Sequence, residues 1–209
     1  MLWGAAESGL EVRREGDGAV RLAGRFPYNK RAVLSDGGRA GRPRKEGFAS
    51  RAFAYRIDKP DEDIHLLVGH DFGKPLASRK AGTLDVRDGD DAVTFAATIT
   101  PDMAEVSYVR DFLGTMRSGL VGGISPGFRI PPKRAVPNAE RVEDEGHDPA
   151  NGAHNAIIRT VMAALLYELS VVTRPAYDET QVEARSWETS ARAEEPGTGS
   201  RFRGINRWR

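Results

Sequence analysis

The 209-residue sequence contains no cysteine, which excludes a disulfide framework, thiol catalysis and any zinc site built on thiolates. Charge of one sign is not in excess: 31 Lys and Arg against 30 Asp and Glu leave a formal net charge of +1. Nucleic-acid binding is therefore not expected, because such domains gather a basic excess on one face. Long hydrophobic runs are missing too. The longest, "VMAALLY" at 161–167, falls far short of the roughly 20 apolar residues of a membrane-spanning helix. The first residues carry Glu7, Glu11 and Glu15 and no apolar run, so they do not read as a signal peptide. No internal repeat stands out. These absences suit a soluble protein of a reducing cytoplasm, long enough for one sizeable core in one or two domains.

What is present is a predominantly β pattern. "DIHLLVGHD" (63–71), "AVTFAATIT" (92–100), "VGGISPGFRI" (121–130), "AIIRTVMA" (156–163) and "LLYELSVVT" (165–173) form a series of strand-like apolar runs among Gly and Asp turn signals. One helix is predicted over 101–118, with Thr100 as N-cap, Pro101 at its first position, and Asp102 and Glu105 at the positive end of its dipole. Met103, Val106, Val109, Leu113 and Met116 recur at helical spacing, and Arg117 and Gly119 mark its end. The segment 131–155 is polar and proline-bearing and reads as a surface loop or excursion. From Ser186 the chain is charged and aperiodic, which predicts a flexible tail over 186–209. Its last part joins Arg201, Arg203, Arg207 and Arg209 to Phe202 and Trp208, a solvated end or one that binds an acidic partner. Many strands and few helices point to a mainly β fold with flanking helices, its sheet closed or strongly curved.

Four histidines are present. His65 and His70 have an odd separation, which on one strand sends them to opposite faces, while His147 and His154 lie in the polar segment. No metal or cofactor site is expected. His70 ends the run "LLVGH", where an imidazole can be partly desolvated and still reach a substrate, so it is either a general base or a structural histidine. Ser125 stands among Gly122, Gly123, Pro126 and Gly127, residues that weaken a strand. Gly122 and Gly123 let a peptide approach the backbone, and Pro126 holds Ser125 extended, as a nucleophile requires; taken alone, the stretch reads more readily as a bend or bulge around an ordinary serine. Pro126 has no N–H, so an oxyanion would look to the amide of Gly127 or Gly123, or to another loop. Glu168, inside "ALLYELSVV", is a carboxylate in a run that must be buried. It needs a cation or a donor: an imidazole, as in a catalytic triad, or a salt bridge to Arg159 or Arg174. By strand alternation Leu166, Glu168, Ser170 and Val172 share one face.

The order "GHD", helix, "SGLVGGISPGFRI", "ELSVVTRPAY" resembles the tailed-bacteriophage (caudovirus) prohead serine proteases, capsid maturation enzymes distantly similar to herpesvirus assemblins. "EGFASRAFAYRI" (46–57) resembles an early segment of the same family, and the likeness covers roughly residues 20–185. It implies an N-terminal extension over 1–19, a protease domain over 20–185 and a closed β-barrel of the assemblin type. Residue by residue it makes His70 the general base, Ser125 the nucleophile and Glu168 the third member. Many relatives carry a bulky residue where Pro126 stands. The resemblance further implies that the major capsid protein and scaffold are cut inside the assembling prohead, in the host cytoplasm, with self-processing and a dimeric state as further expectations. A catalytically inactive assembly protein of the same fold, or an unrelated β-barrel binding protein, are the alternatives.

Overall fold

A computed structural model describes residues 2–3, 10–14, 18–39 and 41–175; the expected tail at 186–209 lies outside them. The first part of the chain supplies Leu2–Trp3 (β1), Glu11–Arg14 (β2), Val20–Pro27 (β3), Arg31–Ser35 (β4), Arg44–Phe48 (β5) and the one-turn helix Ala54–Ile57 (α1). There follow His65–Val68 (β6), Asp71–Ser78 (β7), Leu84–Asp88 (β8), Ala92–Ile99 (β9) and the helices Pro101–Ala104 (α2) and Ser107–Arg117 (α3). Gly123–Arg129 (β10), Glu140–Asp144 (β11), His147–Asp148 (β12), Ala153–His154 (β13), Ile157–Val161 (β14) and Leu165–Val172 (β15) complete the series.

Half-burial explains the strands. In β3, Val20, Leu22 and Phe26 are buried while Arg21, Ala23 and Arg25 are exposed, the two-residue period of a sheet with one wet face. Three sheets result, in the orders β1-β2-β3-β9-β8, β10-β15-β6-β7 and β11-β14-β5-β4, with a small β12-β13 ribbon. β15 runs parallel to β6 and β14 parallel to β5; the other pairings are antiparallel. The fold is thus mainly β with a few helices. The pairings form open rows, and among the described residues no hydrogen-bonded ring closes the expected barrel. Instead β7 lies beside β9 and β10 beside β3, and one apolar core joins the sheets. At its centre Phe48 packs on Phe26, Phe53 and Phe128, with ring centroids 5.4, 4.9 and 4.9 Å away.

Two segments differ from the reading of the sequence. The helix over 101–118 is broken. Thr100 caps α2 as expected, its hydroxyl accepting the Met103 N–H at 3.4 Å, but Val106 is extended (ψ 136°) and α3 starts afresh after it. Apolar residues at 103, 106 and 109 advance by three, short of the 3.6-residue helical turn, and the break re-phases α3 so that Val109 and Phe112 are both buried. The excursion 131–155 contains β11, which pairs with β14 although every one of its side chains is exposed, the charged habit of an edge strand. Upstream, Leu10 is buried in the core and β2 pairs with β3, ahead of the expected domain start.

Tyr28 and Asp88 make the most demanding polar contact of the core. The Tyr28 hydroxyl donates to Asp88 Oδ1, while Asp88 Oδ2 is buried without a partner among the described residues. Burial first, then the bond to Asp88, push the Tyr28 phenol well above its ordinary value, and burial raises the Asp88 carboxyl. A raised phenol in the folded state means stability that is fully present below the unfolded value, about pH 10, and lost as pH rises beyond it. Tyr28→Phe is expected to destabilise by about 1–3 kcal/mol at neutral pH. In urea titrations the wild-type midpoint should fall steeply above about pH 10 and that of the variant less so; parallel curves would refute the coupling.

Candidate active site

The sequence places Glu168 in the middle of an apolar strand, and the structure shows how it is kept there. β15 is the inner strand between β10 and β6. Its register with β10 slips by one residue: Gly127 faces Glu168, but Phe128 faces Leu166, leaving Tyr167 as a bulge. The bulge interrupts the expected alternation. Leu166 therefore joins Phe128, Leu169 and Val171 on the core side, whereas Glu168 and Ser170 share the opposite side with Ser125 and Gly127. Arg56 stacks on the bulged Tyr167 ring at 4.1 Å.

His70 arrives from the other side. Val68 pairs with Asp71, so Gly69 and His70 are the two central residues of a tight hairpin, at φ 61° and 62°. Positive φ at both positions is the signature of a type I′ turn, comfortable for glycine and tolerated by histidine. The turn is fastened to β15 by two bonds: Gly69 N–H to the Val171 carbonyl at 3.0 Å and His70 N–H to Ser170 Oγ at 2.8 Å. The imidazole then meets Glu168, with Nδ1 2.6 Å from Oε1. The ring side chain is 46% exposed and the Glu side chain 4%. The second carboxylate oxygen accepts the Ser170 hydroxyl at 2.7 Å. With Glu168 ionised, Nδ1 carries the proton, and Nε2 is the ring nitrogen left to accept one.

Ser125 lies on β10 directly opposite Ser170, so its side chain stands on the same face as Glu168 and beside the hydroxyl that holds His70. Among the described residues, no hydrogen bond joins Ser125 Oγ to His70. Pro126 disturbs β10 less than its sequence suggests. Val171 turns its carbonyl toward β6, so by alternation Ser170 and Val172 turn theirs toward β10, opposite Ser125 and Gly123. Pro126 then falls on the outer edge, where this sheet has no further strand and no ladder donor is missed. The same alternation presents the amides of Gly123 and Gly127 to β15. Nor do these two glycines leave room for substrate. A Cβ on Gly127 would stand 1.8 Å from Glu168 Oε1, and one on Gly123 would stand 2.4 Å from Pro175 Cδ.

Arg159 and Asp71 have other partners. Arg159 bridges Glu46 at 2.8 Å and Glu140 at 2.7 Å. Asp71, next to His70 in sequence, accepts the Gly73 N–H at 2.8 Å and pairs with Lys74; that amide first, and then Lys74, hold its carboxyl below the ordinary range. β6 ends at Val68, so the alternation argument for His65 and His70 stops short of His70; His65 pairs with Asp63 at 3.5 Å. Among the described residues no three His, Cys, Asp or Glu side chains are grouped to hold a metal ion. Two contributors do not stand out in the sequence: Ser170, and Gly127 as the space for a carboxylate. The "ELS" triplet, a second polar residue two positions from a buried Glu, is the available signal for the first.

A buried carboxylate on the inner nitrogen of a half-exposed imidazole, with a serine on the same sheet face, is the arrangement of parts found in hydrolases with a serine nucleophile. The family description "caudovirus prohead serine protease" matches residues 34–194, and the chain belongs to that family. No curated protein matches the chain, and no solved structure does.

Gly127→Ala is expected to force Glu168 from its place and to lower stability by about 1–3 kcal/mol, read as a shift of the urea midpoint. An unchanged midpoint would show that the carboxylate can move aside freely.

Proposed function

We propose that this chain is a serine endopeptidase of phage capsid maturation, with Ser125 as nucleophile, His70 as general base and Glu168 as the carboxylate that orients the imidazole. The observation that carries this reading is the 2.6 Å contact between Glu168 and His70 Nδ1. It commits the inner nitrogen and leaves Nε2 as the ring nitrogen able to accept a proton. Ser125 Oγ would attack the scissile carbonyl carbon while its proton passes to Nε2. The imidazolium, stabilised by Glu168, would give that proton to the departing amine nitrogen as the C–N bond breaks. Water, losing a proton to the same imidazole, would then cleave the acyl ester and restore Ser125. The orientation of Gly123 and Gly127 favours an oxyanion donor from outside the β10–β15 ladder, or a ladder that opens locally when substrate binds.

Family membership supports capsid proteins as substrates and action within the assembling prohead in the host cytoplasm. Cleavage of scaffold and of the N-terminal part of the major capsid protein, self-processing within 186–209, a dimeric state and a closed barrel arrangement of the three sheets belong to the same proposal. They rest on the family and on the residues quoted for the resemblance. A second reading, a catalytically inactive assembly protein of the same fold, is favoured by one observation: Ser125 Oγ has no hydrogen bond to His70 among the described residues. Active hydrolases also show long or unaligned catalytic contacts before substrate binds, which leaves the enzyme reading ahead.

Co-expression with the cognate capsid protein is expected to yield shortened capsid protein with the wild type. Ser125→Ala should reduce cleavage on the order of 10⁴-fold or more, and Glu168→Gln by about 10²- to 10⁴-fold, because an amide no longer fixes the tautomer. Equal shortening by wild type and Ser125→Ala would remove Ser125 from its role.

A further inference from the structure

We infer that Ser170 is a positioning residue for the reaction proposed above, acting on His70 and Glu168 at once; the inference rests on that reading. Ser170 is fully buried, and among the described residues its hydroxyl is the one group hydrogen-bonded to both His70 and Glu168 away from their own contact. A hydroxyl has one proton and two lone pairs. Here the proton goes to Glu168 Oε2 at 2.7 Å, and a lone pair receives the backbone N–H of His70 at 2.8 Å. One atom thereby sets the position of the backbone that carries the base and of the carboxylate that orients it.

The surroundings explain why this position needs a hydroxyl. His70 sits at φ 62°, a left-handed conformation that an L residue keeps only when its neighbours hold it there. The other side of the turn is secured by the Gly69 amide on the Val171 carbonyl at 3.0 Å. Without Ser170 Oγ the His70 amide would lose its acceptor and Glu168 Oε2 its donor, and both ends of the catalytic contact would gain freedom together. Although Ser170 stands directly opposite Ser125, it is not a rival nucleophile: it lies out of reach of solvent, and its proton is committed to a carboxylate.

The test uses the full chain and a fluorophosphonate probe, with which Ser125 Oγ would displace fluoride from phosphorus while its proton passes to His70 Nε2. Labelling of wild type at Ser125, located by peptide mass spectrometry, establishes that the proposed nucleophile is active; absence of labelling there overturns both readings. Given labelling, Ser170→Ala is expected to slow inactivation about 10- to 100-fold. Ser170→Thr, which keeps the hydroxyl, should restore the rate to within about threefold of wild type. On capsid substrate the loss should appear in kcat with KM little changed, which a general loosening of the fold would not produce. A folded Ser170→Ala protein that reacts as fast as wild type overturns the inference while leaving the Ser125 reading intact. If Ser170→Ala does not fold, hydrogen exchange on the wild type decides. The His70 amide should be strongly protected, and exchange at the rate of an unbonded turn amide overturns the inference.

Discussion

A carboxylate with almost no access to water must find hydrogen-bond donors for both of its oxygens, and around Glu168 this requirement organises the molecule. Removing one partner from a buried ionic contact commonly destabilises a protein by about 3–5 kcal/mol, more than a third of the net stability of many domains. The imidazole of His70 and the hydroxyl of Ser170 meet the need from opposite sides. Space for the carboxylate exists because the strand beside it carries glycine at 127. The bulge at Tyr167 lets Glu168 face away from the core while Leu166, two residues earlier, faces into it. None of these features would be useful alone.

The same requirement links three distant stretches of sequence. The hairpin at 69–70, the strand at 123–129 and the strand at 165–172 become neighbours only through the row β10-β15-β6-β7. Helix α3 supports the arrangement from outside, with the Tyr108 hydroxyl bonded to the Pro75 carbonyl of β7 at 2.6 Å before the chain turns back into β10. The site's geometry is therefore a property of sheet register. That is a stiffer support than a loop provides, because a slip of one residue would reverse every side chain.

Much of this is legible in the amino-acid sequence. The strands at 92–99 and 165–172 follow from apolar runs with turn residues at their ends, and Thr100 with Pro101 correctly marks a helix start. His70 and Glu168 are recognisable as oddities, a histidine closing a strand and a carboxylate inside one. Their contact is not derivable from spacing, since 98 residues separate them and only the parallel pairing of β6 with β15 brings them together. The bulge at Tyr167 is equally hidden, because local sequence carries no mark of a register slip decided by the partner strand. The break at Val106 is obscured for a different reason: hydrophobic spacing reports the face that packs, not whether the backbone between two packed faces is continuous.

Pro126 has a consequence beyond its neighbour Ser125. Exposed sheet edges invite other chains to add strands, and natural proteins blunt them with residues that cannot complete a ladder. Pro126 is itself buried opposite Leu169, and its missing N–H leaves the outer side of β10 without a ladder donor at the middle of the row. The chain is thereby kept from extending this sheet through the strand that bears Ser125. The residue that looks like damage to the strand serves as a guard on it.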